Sequence, residues 1–102
     1  MKHIIYHITT KAEWEEAKQQ GFYEAASLPI EGFIHCSTDE QVEGVLQRYF
    51  KNKGPLVKLT IDSDKLHARL QHDFSVSLNQ HFPHIYGRLN LDAVIEEESL
   101  SH

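Results

Sequence analysis

The stretch Gly32-Phe33-Ile34-His35-Cys36-Ser37-Thr38, followed by Asp39-Glu40-Gln41-Val42, decides how this 102-residue chain is expected to fold. Its apolar first half predicts a short strand, and Ser37 or Thr38 predicts the N-cap of the helix that follows. The first backbone N–H groups of a helix lack internal partners and carry partial positive charge, which suits a phosphate or a carboxylate. Ser37 and Thr38 are therefore predicted to bind an anionic group of a small molecule beside the titratable ring of His35.

Two further stretches also place a histidine in a strand. They are Ile4-Ile5-Tyr6-His7-Ile8-Thr9-Thr10 and Phe82-Pro83-His84-Ile85-Tyr86-Gly87. Imidazole changes charge near neutral pH and serves in acid/base catalysis. We therefore expect His7, His35 and His84 to converge on one small-molecule site.

Two helices are predicted from local signals. Thr10-Lys11-Ala12-Glu13 has the form of a capping box and starts the first helix, which Gly21 ends. The second is predicted from Thr38 to Phe50, where apolar residues recur at helical spacing. These two segments supply the helical part of the fold.

The other segments predict strands and connections. Leu56 to Ile61 predicts a central strand and Leu91 to Leu100 a final one. Residues 22–30 are expected to form a connecting loop with a small strand or turn, and residues 67–80 are compatible with a hairpin strand or a mobile loop. The order of elements predicts a single α+β domain over residues 1–102, with two helices packed on a curved, mostly antiparallel sheet.

Composition narrows the functional classes. The net charge of −5 gives no bulk attraction to a phosphate backbone, so duplex nucleic acid is not expected as a partner. No run approaches the roughly 20 apolar residues of a membrane span. The single cysteine, Cys36, excludes an internal disulfide and fits a reducing compartment, and the expected location is the cytoplasm.

The three histidine stretches resemble the family catalogued as domain of unknown function 952. The matching strings are Ile5-Tyr6-His7-Ile8-Thr9-Thr10, Glu31-Gly32-Phe33-Ile34-His35-Cys36-Ser37-Thr38, and Phe82-Pro83-His84-Ile85-Tyr86-Gly87 with Leu91-Asp92-Ala93-Val94 after it. That family has been placed by fold with the ADP-ribosyltransferase-like proteins, which bind or cleave NAD in the cleft of a split β-sheet. The resemblance therefore implies an ADP-ribosyltransferase-like fold and NAD or a related nucleotide as a substrate, with no resident cofactor.

The resemblance also implies roles for single residues. His7 with Thr9 is similar to the His-x-Thr/Ser motif that holds ribose and the nicotinamide amide, and His35 would pack against nicotinamide. The third motif normally brings a glutamate, but this sequence offers His84 and Tyr86 there. A carboxylate on the last strand, from Glu96, Glu97 or Glu98, could serve instead, although the spacing selects none of them.

Some proteins of that fold transfer an RNA 2′-phosphate to NAD with histidine and arginine. For phosphate binding, the resemblance implies the three histidines and Arg88, whose guanidinium suits a phosphate. Taken together, His35 and His84 are the predicted catalytic residues. The predicted ligand-binding residues are His7, Thr9, Ser37, Thr38, Tyr86 and Arg88.

Three functions remain open from the sequence. The first is a nucleotide- or NAD-acting enzyme, and the second is a non-catalytic module that binds a nucleotide or ADP-ribose. The third is a metal-dependent hydrolase that uses His81 and His84 with His7 and His35. Cys36 is expected to be a buried small hydrophobe, because adjacent strand residues face opposite sides of a sheet.

Overall fold

The structure is a computed structural model and describes residues 3–100. Within these residues the strands are β1 (Ile4–Thr10), β2 (Phe22–Tyr23), β3 (Ile34–His35), β4 (Leu56–Asp62), β5 (Arg69–Ser75), β6 (Gln80–Tyr86), β7 (Leu89–Asn90) and β8 (Val94–Leu100). The helices are α1 (Lys11–Gln20), α2 (Ser27–Glu31) and α3 (Val42–Tyr49). No helix in this part of the chain is long and apolar enough to cross a membrane.

The first helix has the ends that its local sequence predicts. Thr10 caps it, because the Thr10 hydroxyl accepts a hydrogen bond from the Glu13 backbone N–H at 3.2 Å. Gly21 ends it in the left-handed conformation with φ of 94°, which a residue without a side chain adopts at little cost. The helix buries Trp14 and Ala17 against the core.

The strands form three antiparallel sheets, in the orders β1-β4-β8, β2-β7 and β3-β6-β5. Tyr6 and Ser37 exchange two backbone hydrogen bonds, of 2.8 and 2.7 Å, and so connect β1 to the chain that follows β3. The prediction of an α+β fold built on antiparallel strands is confirmed. The strands nevertheless form separate sheets and not one continuous sheet. The strands β2 and β7 pair only with each other.

Two segments differ from the sequence prediction. Residues 22–30 contain the short strand β2 and most of a third helix, α2. Pro29 is compatible with that helix because it lies in the first turn, where a backbone N–H has no partner to lose. The second predicted helix begins as a 3₁₀ turn at Asp39–Gln41, and its α-helical part starts only at Val42.

Residues 67–80, which the sequence allowed to be either a hairpin strand or a loop, contain a hairpin strand. It forms β5, which pairs along its whole length with β6 after a turn in which Asn79 has φ of 54°. Leu70 lies opposite Ile85, and Ile85 lies opposite Ile34, so these three side chains point together into the core. The alternate residues of the same strands therefore point to the other face of the sheet.

We call that other side of β3-β6-β5 the histidine face. His35 lies directly opposite His84, and His84 lies opposite Gln71. Because side chains two positions apart share a face, Asp73 and Tyr86 belong to it as well. The pairing register thus gathers polar and aromatic groups from three strands.

Candidate functional site

A cavity of about 440 Å³ lies between β1, the chain around β3, the β5–β6 hairpin and α3. Four of the predicted site residues line it, namely His7, His35, Ser37 and His84. Its volume is within the range of small-molecule sites in proteins. The structure therefore brings the three histidines to one place.

The walls of the cavity are mostly apolar. They include Ile8, Val45, Tyr49, Phe50, Phe74, Leu78 and Phe82, whereas none of the lysines or arginines in residues 3–100 is among the lining side chains. Such walls suit a planar ring or a hydrocarbon part of a ligand. Within the cavity, an anionic group on the same ligand would meet histidine, serine and tyrosine side chains as donors, with no permanent cation among the described lining residues.

His84 is held by a carboxylate at the polar end of the cavity. Its Nδ1 lies 2.7 Å from Oδ2 of Asp73, and the Tyr86 hydroxyl donates to the same oxygen. Gln71 donates to the other oxygen at 2.6 Å. These hydrogen bonds, with that from Tyr86 first, lower the pKa of Asp73 to about 2, so the carboxylate is charged at neutral pH.

The tautomer of His84 follows from this arrangement. A carboxylate can only accept, so Nδ1 of His84 carries the hydrogen and Nε2 of the neutral ring is an acceptor. Nε2 has no hydrogen-bond partner among residues 3–100, and no polar side-chain atom in that range is both fully buried and unpaired. The free nitrogen of a cavity-lining imidazole is thus accessible to a ligand or to water.

Phe33 fixes the plane of the His84 ring. The two rings are stacked with centroids 4.0 Å apart and planes 16° from parallel. Phe33 also contacts the ring of His35 edge-on at 4.9 Å, and the His35 and His84 rings are 5.1 Å apart. The stack limits the ring of His84 to the orientation that its bond to Asp73 requires.

His35 is the exposed member of the pair. Its side chain is 54% exposed, and its Nε2 lies 2.8 Å from a carboxylate oxygen of Glu31, the last residue of α2. In contrast, the side chain of His84 is 11% exposed. The two predicted catalytic histidines are therefore adjacent, but only His84 is held inside the protein.

His7 uses both of its ring nitrogens inside the protein. Nδ1 donates to the His35 carbonyl oxygen at 2.5 Å, and Nε2 accepts from the Tyr23 hydroxyl at 2.7 Å. Burial lowers the pKa of His7 to about 4, which keeps the ring neutral. His7 lines the cavity, where the resemblance implies a ligand-binding residue, and its two ring nitrogens also cross-link β1 to β2 and β3.

Three other predicted ligand-binding residues lie away from the cavity lining. Thr9 is buried and donates to Glu13 at 2.7 Å, and Thr38 donates its backbone N–H to Gln41 at 3.0 Å. Arg88 donates to Glu24 at 2.8 Å, and its guanidinium carbon is 3.9 Å from the centre of the Phe22 ring. Arg88 directs its side chain to β2 because it immediately precedes β7, the strand that pairs with β2.

Tyr86, another predicted ligand-binding residue, lies beside Asp73 on the histidine face. Its hydroxyl is hydrogen-bonded to Asp73, and its ring packs 5.3 Å from that of Phe33. It is not among the residues that line the cavity. Tyr86 therefore supports the carboxylate that holds His84.

Of the remaining candidates, Cys36 lies where the core borders the cavity, and the glutamates of the last strand lie elsewhere. Cys36 lies in the core, and burial raises the pKa of its thiol, so it is protonated at neutral pH. Glu97 accepts from the Trp14 indole at 2.8 Å and Glu98 pairs with Lys58, while none of Glu96, Glu97 and Glu98 lines the cavity. In the part of the chain that is described, no three His, Cys, Asp or Glu residues are arranged to hold a metal ion.

Sequence reasoning missed the partners of the histidines. They are Asp73, Tyr23 and Glu31, together with the stacked ring of Phe33. The sequence does contain one indication that Asp73 belongs to a polar face. It alternates with Arg69 and Gln71 along β5, so these three polar side chains lie on the same side of the strand. That signal becomes usable only once the register with β6 is known, because the register places Asp73 beside His84.

These features define an α+β protein of antiparallel sheets with an apolar cavity and a carboxylate-held histidine at its polar end. The chain belongs to the family described as "Protein of unknown function (DUF952)", which matches residues 8–97.

Solved structures support this placement. The chain is similar to the crystal structure of protein CC0527 from Caulobacter crescentus, with 34% identity, 97% of this chain and 87% of that chain covered, and a TM-score of 0.88. The solution NMR structure of CC0527 is similar at 34% identity over 96% of this chain and 84% of that one, with a TM-score of 0.82. No curated protein matches the chain.

Proposed function

We propose that the protein is a small enzyme that acts on a nucleotide or an NAD-like ligand bound in this cavity. His84 is its acid/base residue, and Asp73 is the residue that positions it. The observation that carries the proposal is the hydrogen bond of 2.7 Å between His84 and Asp73, which leaves Nε2 of a cavity-lining imidazole unpartnered in the described chain. An imidazole oriented in this way can take a proton from a hydroxyl group or return one to a leaving group.

The chemistry follows from the surroundings of His84. When Nε2 accepts a proton from the attacking hydroxyl of water or of an acceptor, the ring becomes cationic. The charged Asp73 stabilises that cation without accepting the proton itself, because its pKa of about 2 is far below that of an imidazole. The same Nε2 then returns the proton to the leaving group.

The apolar walls favour a ligand with a planar ring. The base or the nicotinamide of the ligand would lie against Phe74, Phe82 and the residues of α3, and its sugar would lie beside His35 and Ser37. NAD enters this scheme as a substrate. A small-molecule partner of this kind agrees with the net charge of −5, which does not favour duplex nucleic acid.

The finer assignment of the fold to the ADP-ribosyltransferase-like class is part of the same proposal. It is supported by two three-stranded antiparallel sheets that meet at the pairing of Tyr6 with Ser37. The cavity lies at that meeting point, since its lining comes from β1 of one sheet and from β3, β5 and β6 of the other. We propose the cytoplasm as the place of action because the single cysteine is a free thiol.

A non-catalytic module that binds a nucleotide or ADP-ribose is the second candidate. The observation that favours it is the absence of glutamate from the cavity lining in residues 3–100. Asp73 is the carboxylate that lines the cavity, and three hydrogen bonds already engage it. The histidine-cluster metal hydrolase gains no such support.

Ligand-induced thermal stabilisation tests both candidates. NAD, ADP-ribose and nucleoside phosphates are added to the wild type, to His84→Gln and to His72→Gln, a control on an exposed β5 residue. A ligand at 100 times its dissociation constant should stabilise the protein by about 2.7 kcal/mol. We expect a melting shift that His84→Gln loses and His72→Gln keeps.

Turnover then separates the enzyme from the binding module. Each ligand that shifts the melting temperature is incubated with the protein, and its products are followed by mass spectrometry. Products that disappear in His84→Gln support catalysis, whereas binding without products supports the module. A flat response of the wild type to every nucleotide would refute both.

A further inference from the structure

Arg69 lies on the histidine face, next to Tyr86. It opens β5 and lies directly opposite Tyr86 on β6, so the two side chains share that face. Its guanidinium carbon is 4.8 Å from the centre of the Tyr86 ring, a cation–π distance. Tyr86 in turn is hydrogen-bonded to the carboxylate that holds His84. Arg69 is thus adjacent to the acid/base pair without contacting the cavity itself.

The guanidinium of Arg69 is available for an external anion. No carboxylate in residues 3–100 lies within salt-bridge distance of it, and its N–H groups have no hydrogen-bond acceptor there. Arg88 provides the contrast, since Glu24 occupies its guanidinium. The acid nearest to Arg69 along the strand is Asp73, which is already hydrogen-bonded by Tyr86 and Gln71.

We propose that Arg69 binds the phosphate or pyrophosphate group of the ligand and thereby selects nucleotides over nucleosides. This inference rests on the proposed function, because it assumes that the ring of a nucleotide enters the cavity. That cavity has no lysine or arginine among its described lining residues, so a permanent positive charge for the phosphate has to come from beside it. A planar guanidinium forms two parallel hydrogen bonds to a phosphate, which makes it a specific partner.

The spacing along the sheet fits such a ligand. Arg69 pairs with Tyr86, and the next pair on the same face is Gln71 with His84. Successive residues on one face of a strand are about 7 Å apart. A ribose spans a gap of this size between a ring near His84 and a phosphate on Arg69. The proposal thus assigns to Arg69 the phosphate-binding role that the resemblance implied for Arg88, whose guanidinium Glu24 engages.

The test compares Arg69→Gln with Arg88→Gln, which removes an arginine that a carboxylate already engages. AMP, adenosine and inorganic pyrophosphate are titrated at constant ionic strength, and the NMR signals of the Tyr86 ring and the His84 imidazole are followed. We expect Arg69→Gln to weaken AMP and pyrophosphate at least tenfold and to leave adenosine unchanged. Arg88→Gln should bind all three as the wild type does, and Arg69→Lys should retain part of the affinity for AMP.

The outcomes separate this inference from the proposed function. Equal binding of AMP by the wild type and by a folded Arg69→Gln variant would overturn the role of Arg69 and leave the nucleotide site in place. Pyrophosphate binding that needs Arg69, with no binding of adenosine, AMP or NAD, would support the anion site and refute the proposed function. A wild type whose Tyr86 signal responds to neither anion would overturn the inference.

Discussion

His7 and His84 are both buried histidines on strands, and they differ in whether the second ring nitrogen has a hydrogen-bond partner. In His7 the carbonyl of His35 and the hydroxyl of Tyr23 engage both nitrogens. In His84 one nitrogen is held by Asp73 and the other has no partner in the described chain. The comparison indicates that burial alone does not mark a functional histidine. Our proposal rests instead on a nitrogen that is oriented and has no partner in the described chain.

The largest effect is expected from truncating the two rings in parallel. His7→Ala leaves a buried carbonyl and a buried hydroxyl without partners and opens a cavity, so we expect it to lower the free energy of unfolding by about 3 to 5 kcal/mol. His84→Ala should cost clearly less, because its ring lies at the edge of an open cavity. Urea denaturation of both variants measures the difference. Equal costs would mean that His84 is also structural.

The next effect concerns acid stability. The pKa of His7 is about 4 in the folded protein, against an ordinary value of 6.5. Between these pH values His7 is protonated in the unfolded chain but not in the folded protein. The free energy of unfolding therefore falls as the pH falls from 6.5 to 4. The full difference corresponds to roughly 3 kcal/mol.

Urea denaturation at several pH values measures this loss, and NMR titration of the His7 ring assigns it. The contribution of Asp73 comes at lower pH, because its pKa is lowered to about 2 and its stabilisation is lost only as the pH falls through its ordinary value of 3.8 toward 2. A His7 ring that titrates near pH 6.5 would contradict the structural role.

A third prediction sharpens the account of His84. Asp73→Asn replaces an oxygen that can only accept by an amide that also donates, so the hydrogen on Nδ1 of His84 is no longer required. We expect the nitrogen NMR shifts of His84 to change from a single tautomer to a mixture, while those of His7 stay unchanged. In an active enzyme the rate would fall more than the ligand affinity. A His84 tautomer unaffected by Asp73→Asn would remove the positioning role.

The parts of the fold that the sequence predicted are those with local causes. Thr10 and Gly21 set the ends of α1 within a few residues, and the apolar stripe of α3 is visible without any partner. In contrast, β5 has few apolar residues, and it became recognisable only through its pairing with β6. The short helix α2 has no side-chain N-cap, so the sequence carries no local signal that predicts its start.

The candidate site divides in the same way. The convergence of His7, His35 and His84 was predictable because each lies within a strand-like string. Which nitrogen stays free was not, since that depends on Tyr23 and Asp73, which lie 16 and 11 residues from their histidines. Arg88 was grouped with the histidines because the resemblance implied phosphate binding and a guanidinium suits a phosphate, but the pairing of β7 with β2 places its side chain against β2 instead.

The smallest effect on stability is expected for the pair of Glu31 and His35. Both side chains are about half exposed, at 46% and 54%, so water competes for their hydrogen bond and salt screens their attraction. Glu31→Gln should therefore change the free energy of unfolding by about 0.5 kcal/mol or less. Urea denaturation at low and high salt measures this.

The pair can still matter for the ligand, because Glu31 orients the half-exposed ring that lies beside His84. If Glu31→Gln lowers turnover without changing stability, the exposed histidine takes part in the reaction and the contrast with His7 extends to all three rings. If it changes neither, His84 alone carries the chemistry. A loss of stability as large as that of His7→Ala would instead place His35 with His7 among the structural histidines, because only a buried partner gives such a cost.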